Sequence, residues 1–580
     1  MPKNKVFKMI FDYIKKYWYI ASAIIILALI SVISMLLVPI YVGNSIDVIT
    51  EVSVDYSVIK ENMCLIIIMI IITFASQWSL SYLNSLITTL ITRDIRKDAF
   101  SNILKMPLSY IDTHPFGEIV SKVISDVDTF ADGLLMGFTE LFTGVITIVG
   151  TLVLMLKINY LVAIIVFVLT PISIFVAKFI ASRIHKYFTK QTETRATETS
   201  FVNEMINNLK VVQAFSHEDE NMIEFKKVNG EFANASLNAV FFSSLVNPCT
   251  RFVNALIYAI VCLTGALIII NKPGAMVLTI GKLSTLLSYS KEYMKPFNEI
   301  SGVITELQNA IICAKRVFEL ILIEPEFENH FAKEMPQAEG DIELAHVYFS
   351  YNREQKLIEN LNLNIKKGMR VAIVGPTGSG KTTLINLLMR FYDPTSGDII
   401  IDGNNINDIT KSSLRKNYGM VLQDTWLKSG TVLDNIRMGK PDATLEEVIK
   451  ASKETQAHNF IMKMEKGYDT IINENSDNLS AGERQLLCIT RIMLLMPPML
   501  ILDEATSSID TRTELKVQDA FQKLMKDKTS FIVAHRLSTI VNADIILVLK
   551  DGKILEKGNH EELMKQKRFY YELYNSQFNI

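Results

Sequence analysis

Cysteine is scarce: Cys64, Cys249, Cys262, Cys313 and Cys488 are the only five in 580 residues, and they are scattered. None forms a Cys-x-x-Cys pair and no histidine stands at ligand spacing, so neither a disulfide framework nor a zinc site is supported. They read as small hydrophobes in apolar surroundings. An excess of charge of one sign is missing too. With 59 Lys and Arg against 61 Asp and Glu, the net charge is −2, which gives no basis for a nucleic-acid partner. No cleavable leader is expected, because the first apolar run is too long and lacks a small-residue cleavage site.

What the chain has in plenty is apolar length, unevenly placed. Its mean hydropathy is +0.24, high for a soluble protein. A chain of 580 residues is too long for one core. Residues 1–320 hold nearly all the long apolar runs, 341–580 read as an ordinary soluble mixture, and 321–340 read as a linker. A membrane span needs about 20 apolar residues. Six are expected, near 17–46, 62–92, 133–156, 158–180, 245–271 and 277–300. The sixth is the weakest, since it carries Lys282, Lys291, Glu292 and Lys295. It is counted because an odd number of spans would put the C-terminal half on the wrong side.

Lysine and arginine set the orientation. They crowd the N-terminus (Lys3, Lys5, Lys8, Lys15, Lys16) and the segments between spans two and three and between spans four and five. The first outer loop carries Asp47, Glu51 and Asp55 instead. The N-terminus, both long connections and the C-terminal half are therefore expected in the cytoplasm of a multi-pass plasma-membrane protein. Those connections stay periodic, as helices running beyond the bilayer would, and turn at "MPLSYIDTHPFGEIV" and "NNLKVVQAFSHED".

The strongest local signal is "RVAIVGPTGSGKTTLINLLMRFY". A buried strand over 370–374 and a helix over 382–392 flank Gly375-x-x-x-x-Gly380-Lys381-Thr382, a P-loop in its required strand–loop–helix setting. Backbone amides through Gly375, Thr377, Gly378, Ser379, Gly380 and Thr383 can cradle phosphate oxygens at the helix N-terminus. Lys381 would reach the β- and γ-phosphates, and Thr382 would place its hydroxyl on Mg²⁺. Further on, "PPMLILDEATSSID" is an apolar strand ending in two acids. Asp503 would hold magnesium, directly or through water, and Glu504 would orient or deprotonate an attacking water. "FIVAHRLSTI" leaves His535 at the end of another apolar strand.

With these motifs in order, the chain resembles an ATP-binding cassette exporter half. The resemblance implies an all-α six-helix transmembrane domain with long cytoplasmic extensions, fused to an α/β P-loop nucleotide-binding domain that uses ATP and Mg²⁺. It makes Tyr351 in "VYFSY" the stack for adenine, Gln423 in "MVLQDTWL" a catalytic and magnesium-binding residue, Asp510 the end of the D-loop and His535 the switch. It also makes the turns of the cytoplasmic hairpins coupling helices. In this family two cassettes close head-to-tail, so Ser480 and Gly482 would contact the γ-phosphate held by a partner chain.

The signature here is "LSAGE", where the family has Leu-Ser-Gly-Gly-Gln. Ala481 adds a methyl at a place of close approach, and Glu483 puts a carboxylate where the family has an amide. A unit charge about 8 Å from a phosphate charge costs about 2 kcal/mol at an effective dielectric near 20. Ser480-x-x-Glu483 is also a capping box, which competes with the phosphate for the same hydroxyl. Intact Glu504 and His535 beside an altered signature resemble one subunit of heterodimeric bacterial multidrug exporters, in which one ATP site is degenerate. A homodimer that tolerates both changes is the alternative.

The resemblance implies ATP-driven export of amphipathic drugs or lipids, with membrane lipid around the chain and a second half-transporter as partner. An importer built on the exporter fold and a nucleotide-gated channel are rivals, although Glu504 argues against the channel. Peptide export with leader cleavage is disfavoured, because no peptidase domain precedes the first span. Arg251, Lys291, Glu292 and Lys295 are candidates to line the cavity, and snorkelling or mutual pairing is the alternative. Trp78 and other span aromatics could take flat apolar ligands or simply pack.

Overall fold

The computed structural model describes residues 1–49, 54–271, 278–326, 328–329, 331–352, 357–422, 425–473, 476, 478–503, 511–533 and 540–578. They form two compact units. One comprises Met1–Lys105 with His114–Ile323, the other Met106–Thr113 with Glu324–Ile580.

The first unit is helical. Its helices are α1 (Lys3–Lys16), α2 (Trp18–Ile49) and α3 (Tyr56–Ile103), then α5 (Phe116–Val123), α6 (Ser125–Met136), α7 (Phe142–Ile158), α8 (Tyr160–Asn207), α9 (Leu209–Ala214), α10 (Glu218–Ser244), α11 (Val246–Asn271) and α12 (Ile280–Ile321). α4 (Leu108–Thr113) belongs to the second unit. By length and apolarity, the runs Trp18–Ile49, Tyr56–Ile103 and Glu218–Ile270 are long enough to cross a membrane, and Phe142–Ile158 and Tyr160–Ile172 are shorter apolar helices. The four charges that weaken the sixth expected span all fall in α12, which is not among those runs. α3 and α8 have 48 residues each, about 72 Å at 1.5 Å per residue, more than twice a hydrocarbon core of about 30 Å. Both therefore continue beyond any bilayer they cross.

Polar side chains start these helices. Asp55 accepts from the Ser57 amide at 2.9 Å to cap α3, and Asn159 accepts from the Val162 amide at 3.2 Å to cap α8. Extended backbone at Asn159 alone makes the turn between α7 and α8. α2 and α12 cross backbone to backbone, since a Cβ on Gly281 would stand 1.9 Å from the Gly43 carbonyl oxygen. Asp47 clasps that crossing. Its carboxylate accepts from the Gly281 amide at 2.7 Å and from the Thr279 hydroxyl at 2.6 Å.

The second unit is α/β. A four-stranded antiparallel sheet has the order β2-β1-β4-β5, built from β1 (Ile342–Phe349), β2 (Ile358–Ile365), β4 (Ser396–Ile401) and β5 (Asn404–Asn405). A six-stranded sheet has the order β12-β11-β3-β10-β9-β6, from β3 (Arg370–Val374), β6 (Tyr418–Val421), β9 (Met499–Asp503), β10 (Thr529–Val533), β11 (Ile545–Lys550) and β12 (Lys553–Gly558). β7 (Gly430–Thr431) and β8 (Ile471–Ile472) pair separately. In the larger sheet only β12 runs antiparallel to its neighbour. Val371, Ala372, Ile373 and Val374 are all buried, as a parallel strand covered on both faces requires. β3 leads through a glycine-rich loop into α13 (Lys381–Leu388).

Candidate nucleotide site

The register of the larger sheet sets the site. Asp503 pairs with Val533, and Val533 pairs with Ile373, so the end of β9 lies two strands from the loop that leaves β3. Ligands of open α/β sheets bind beyond the carboxyl ends of such strands. The loop needs its glycines. A Cβ on Gly375 would lie 2.2 Å from the Leu549 carbonyl oxygen, and Gly380, the N-cap of α13, has φ +99°.

Lys381 closes the loop into a ring by donating to the carbonyls of Gly375 and Pro376, both at 2.9 Å. Burial pushes its ammonium below the usual lysine range, and the carboxylate of Asp503 works the other way. Ser379 is 2% exposed, and its hydroxyl has no hydrogen-bond partner among the described residues. A Cβ added to Gly378 would meet only open space. A half-buried cation, an orphaned hydroxyl and a helix N-terminus around open space fit an anion with several acceptor oxygens.

Tyr351 stands beside this loop. Its hydroxyl lies 3.4 Å from that of Thr383 and accepts from the Asn386 side chain at 3.3 Å. The ring meets Phe349 and Tyr392 edge-on, with centroids 4.9 Å away in each case, and remains 45% exposed. Two aromatic edges thus fix the ring while part of it stays open for stacking. The structure therefore groups Tyr351, the loop with Thr377 to Thr383, and Asp503. Among the described residues no cluster of three His, Cys, Asp or Glu is placed to hold a metal. The expected magnesium set is of another kind, a hydroxyl (Thr382), an amide (Gln423) and one carboxylate (Asp503). Gln423, Glu504, Asp510 and His535 lie outside the described residues.

Ser480 and Gly482 start the helix Ala481–Leu495. The Ser480 hydroxyl donates to the Glu483 carboxylate at 2.8 Å and accepts from the Glu483 amide at 3.3 Å. The same carboxylate accepts from the Ser480 amide at 2.9 Å. Both halves of the capping box are formed, and none of these contacts reaches the P-loop.

Tyr392 is a residue the motif reading passed over. Besides bracing Tyr351, it donates to Asp112 of α4 at 2.5 Å, and burial together with that carboxylate raises its phenol above the usual range. The signal available in the sequence was the "RFY" that follows the P-loop helix, which ends at Leu388 and not at Tyr392 as its apolar pattern predicts. Nothing local links it to Asp112, 280 residues away.

Comparison with known proteins agrees with this architecture. The ABC transporter transmembrane region family matches residues 21–297, and the ABC transporter family matches residues 358–507. A fatty acid ABC transporter ATP-binding/permease protein of Mycobacterium tuberculosis is 36% identical over 91% of this chain and 83% of its own length. An ATP-dependent lipid A-core flippase of Syntrophus aciditrophicus is 34% identical over 88% and 85%. A solved bacterial Atm1-family ABC exporter with ATP bound superposes with a TM-score of 0.79, covering 97% of this chain and 98% of that one at 24% identity, a likeness of fold. The chain belongs to the ABC transporter family, as a membrane-embedded exporter-type ATPase with its transmembrane and nucleotide-binding domains fused in one polypeptide.

Proposed function

We propose that this chain is one half of a dimeric exporter that drives amphipathic small molecules, drugs or lipids, across the plasma membrane by alternating access. The observation that carries the reading is the ring made by Lys381 on the Gly375 and Pro376 carbonyls, next to the orphaned Ser379 hydroxyl and the exposed face of Tyr351. Adenine stacks on Tyr351, and the triphosphate takes the loop amides, the Ser379 hydroxyl and the Lys381 ammonium. Thr382, Asp503 and Gln423 hold Mg²⁺, which when bound neutralises charge on the phosphate oxygens. By the family resemblance Glu504 orients the attacking water, and His535 and Gln423 are the other catalytic residues. Asp510, the end of the D-loop, is a further nucleotide-binding residue by the same resemblance.

The partner is a second half-transporter, more readily a different chain than a copy. The support is Ser480, whose hydroxyl proton is committed to Glu483 in a helix cap and is not offered to a phosphate. An ATP facing this signature turns over slowly. The ATP on this chain's own P-loop, facing an intact partner signature, is hydrolysed. Cassettes and membrane-domain N-terminus face the cytoplasm. For ATP to shift the membrane domain, cassette closure must be more favourable in one of its states than in the other.

ATP hydrolysis and native mass of the chain purified alone test this reading. Slow or absent turnover, rescued by a co-expressed second half-transporter and abolished by Glu504→Gln, is the expected result. A fast homodimer with two working sites would leave a homodimeric flippase in its place. ATP-dependent uptake into right-side-out rather than inside-out vesicles would make it an importer.

A further inference from the structure

We propose that a cleft within the helical unit binds zwitterionic single-chain amphiphiles, and that Glu140, Glu292 and Lys295 read the headgroup. The inference rests on the export reading and names the substrate class for it.

The cleft has two lobes that share Met35, Gln77 and Glu292 as walls. One lobe, about 330 Å³, is of mixed character, lined by Glu140, Glu292, Lys295 and Thr143 together with Val32 and Leu80. The other, about 520 Å³, has Val38, Pro39, Ile70 and Phe74 in its walls together with Thr73, Ser288 and Lys291. Each falls within the about 300–1,000 Å³ of small-molecule sites. A compartment carrying three charged side chains beside a more apolar one, with three walls in common, suits a headgroup and its chain.

Three departures from regular helix converge on this place. Residues Gly137–Leu141 form a π-turn, a feature found mostly at functional sites, and Glu140 sits in it. Pro39 lies inside α2 and has no N–H to offer the Met35 carbonyl four residues before it. Pro296 lies inside α12 and withholds a donor from the Glu292 carbonyl in the same way. The two carbonyls deprived of their helical donors thus belong to two of the three residues both lobes share.

The charges select the headgroup. Among the described residues, Glu140, Glu292 and Lys295 form no ion pair with one another or with any neighbour. Lys291, on the apolar lobe, already stands 4.7 Å from the centre of the Tyr258 ring. Two carboxylates and the freed carbonyl oxygens draw the cationic end of a headgroup electrostatically, with or without an N–H, while Lys295 pairs with an anionic group on the same head. A bare cation would meet Lys295 without a counter-charge, and a bare anion would meet both carboxylates. Ionised groups at membrane depth are costly and are kept for such work.

Equilibrium binding of radiolabelled lauroyl lysophosphatidylcholine to the full chain in a non-ionic detergent, without nucleotide, tests this. Dodecyltrimethylammonium and laurate serve as competitors. The lysophospholipid should bind most tightly. Glu292→Gln and Glu140→Gln should each weaken it by about tenfold, the size expected for removing one partly screened negative charge beside a cation. Lys295→Gln should weaken the lysophospholipid and strengthen dodecyltrimethylammonium. Stronger binding of laurate, or lysophospholipid binding unchanged in both glutamate variants, overturns the proposal. Melting temperatures equal to the parent's verify folding, and Glu140→Gln carries the test alone if Glu292→Gln misfolds. Because no nucleotide is present, the result is separate from the export reading. ATP-driven export of another amphiphile with no headgroup preference would sink this inference alone, and tight headgroup-selective binding without ATP-driven export would sink the other.

Discussion

The Ser480 hydroxyl and the Glu483 carboxylate are joined at 2.8 Å, and the carboxylate also holds the Ser480 amide at 2.9 Å. The first turn of the signature helix therefore satisfies itself. Its serine accepts from the helix and has already given its proton to the Glu483 carboxylate, so that donor is not offered to a phosphate. Glu483→Gln combined with Ala481→Gly removes the charge and the methyl while keeping a capping-box side chain. The double variant of the chain purified alone should release phosphate about tenfold faster or more, given the about 2 kcal/mol penalty estimated for the charge. An unchanged rate would mean that the signature does not limit turnover.

Lys381 combines two roles that oppose each other. It must be buried to meet phosphate, and that burial lowers its affinity for a proton. A lysine whose folded pKa is depressed binds fewer protons than the unfolded chain, so its linked stability is lowest at neutral pH and rises as pH climbs through the depressed value. Lys381→Met should thus leave the melting temperature without nucleotide unchanged or slightly higher. It should also abolish the upward shift that ATP gives the parent. A calorimetric scan with and without ATP measures both, and a surviving shift would remove Lys381 from the phosphate site.

The clasp between α2 and α12 leaves no room for a methyl. Gly281→Ala would push a Cβ to 1.9 Å from the Gly43 oxygen, against backbone that cannot swing aside. Overpacking of this kind costs about 1–3 kcal/mol, and a lowered melting temperature in detergent is the expected readout. Asp47→Ala should destabilise in the same direction by removing the acceptor of the Gly281 amide and the Thr279 hydroxyl.

Acid should loosen the nucleotide-binding domain through its exposed caps and pairs. Hydrogen bonds from Thr431 lower the Asp434 carboxyl, the Lys367 amide lowers Asp341, and Lys523 lowers Asp519. Depressed carboxylates stabilise above their unfolded pKa of about 4, and that contribution is lost as pH falls through the folded value. All three are surface groups, so each contributes about 1 kcal/mol or less. Asp434→Asn should lower the melting temperature at pH 7 and flatten its fall below pH 4. A parallel fall in parent and variant would deny Asp434 that role.

Local sequence determines much of this protein, because its strongest signals concern neighbours along the chain. A P-loop places its amides, lysine and hydroxyls within eight consecutive positions. Ser480-x-x-Glu483 specifies both bonds of a cap three residues apart, and uncharged runs such as 62–92 specify helices long enough for a bilayer. Tertiary structure alone decides what depends on distant segments meeting. Tyr392 bonds Asp112 across 280 positions, and Asp47 bonds Gly281 across 234. Glu140 lay unremarked inside an apolar run until the helix packing set it beside Glu292 and Lys295. Whether Ser480 serves a cap or a phosphate was likewise open in the letters, since either partner suits a hydroxyl. In the folded chain the Glu483 side chain turns back onto Ser480 and forms the cap.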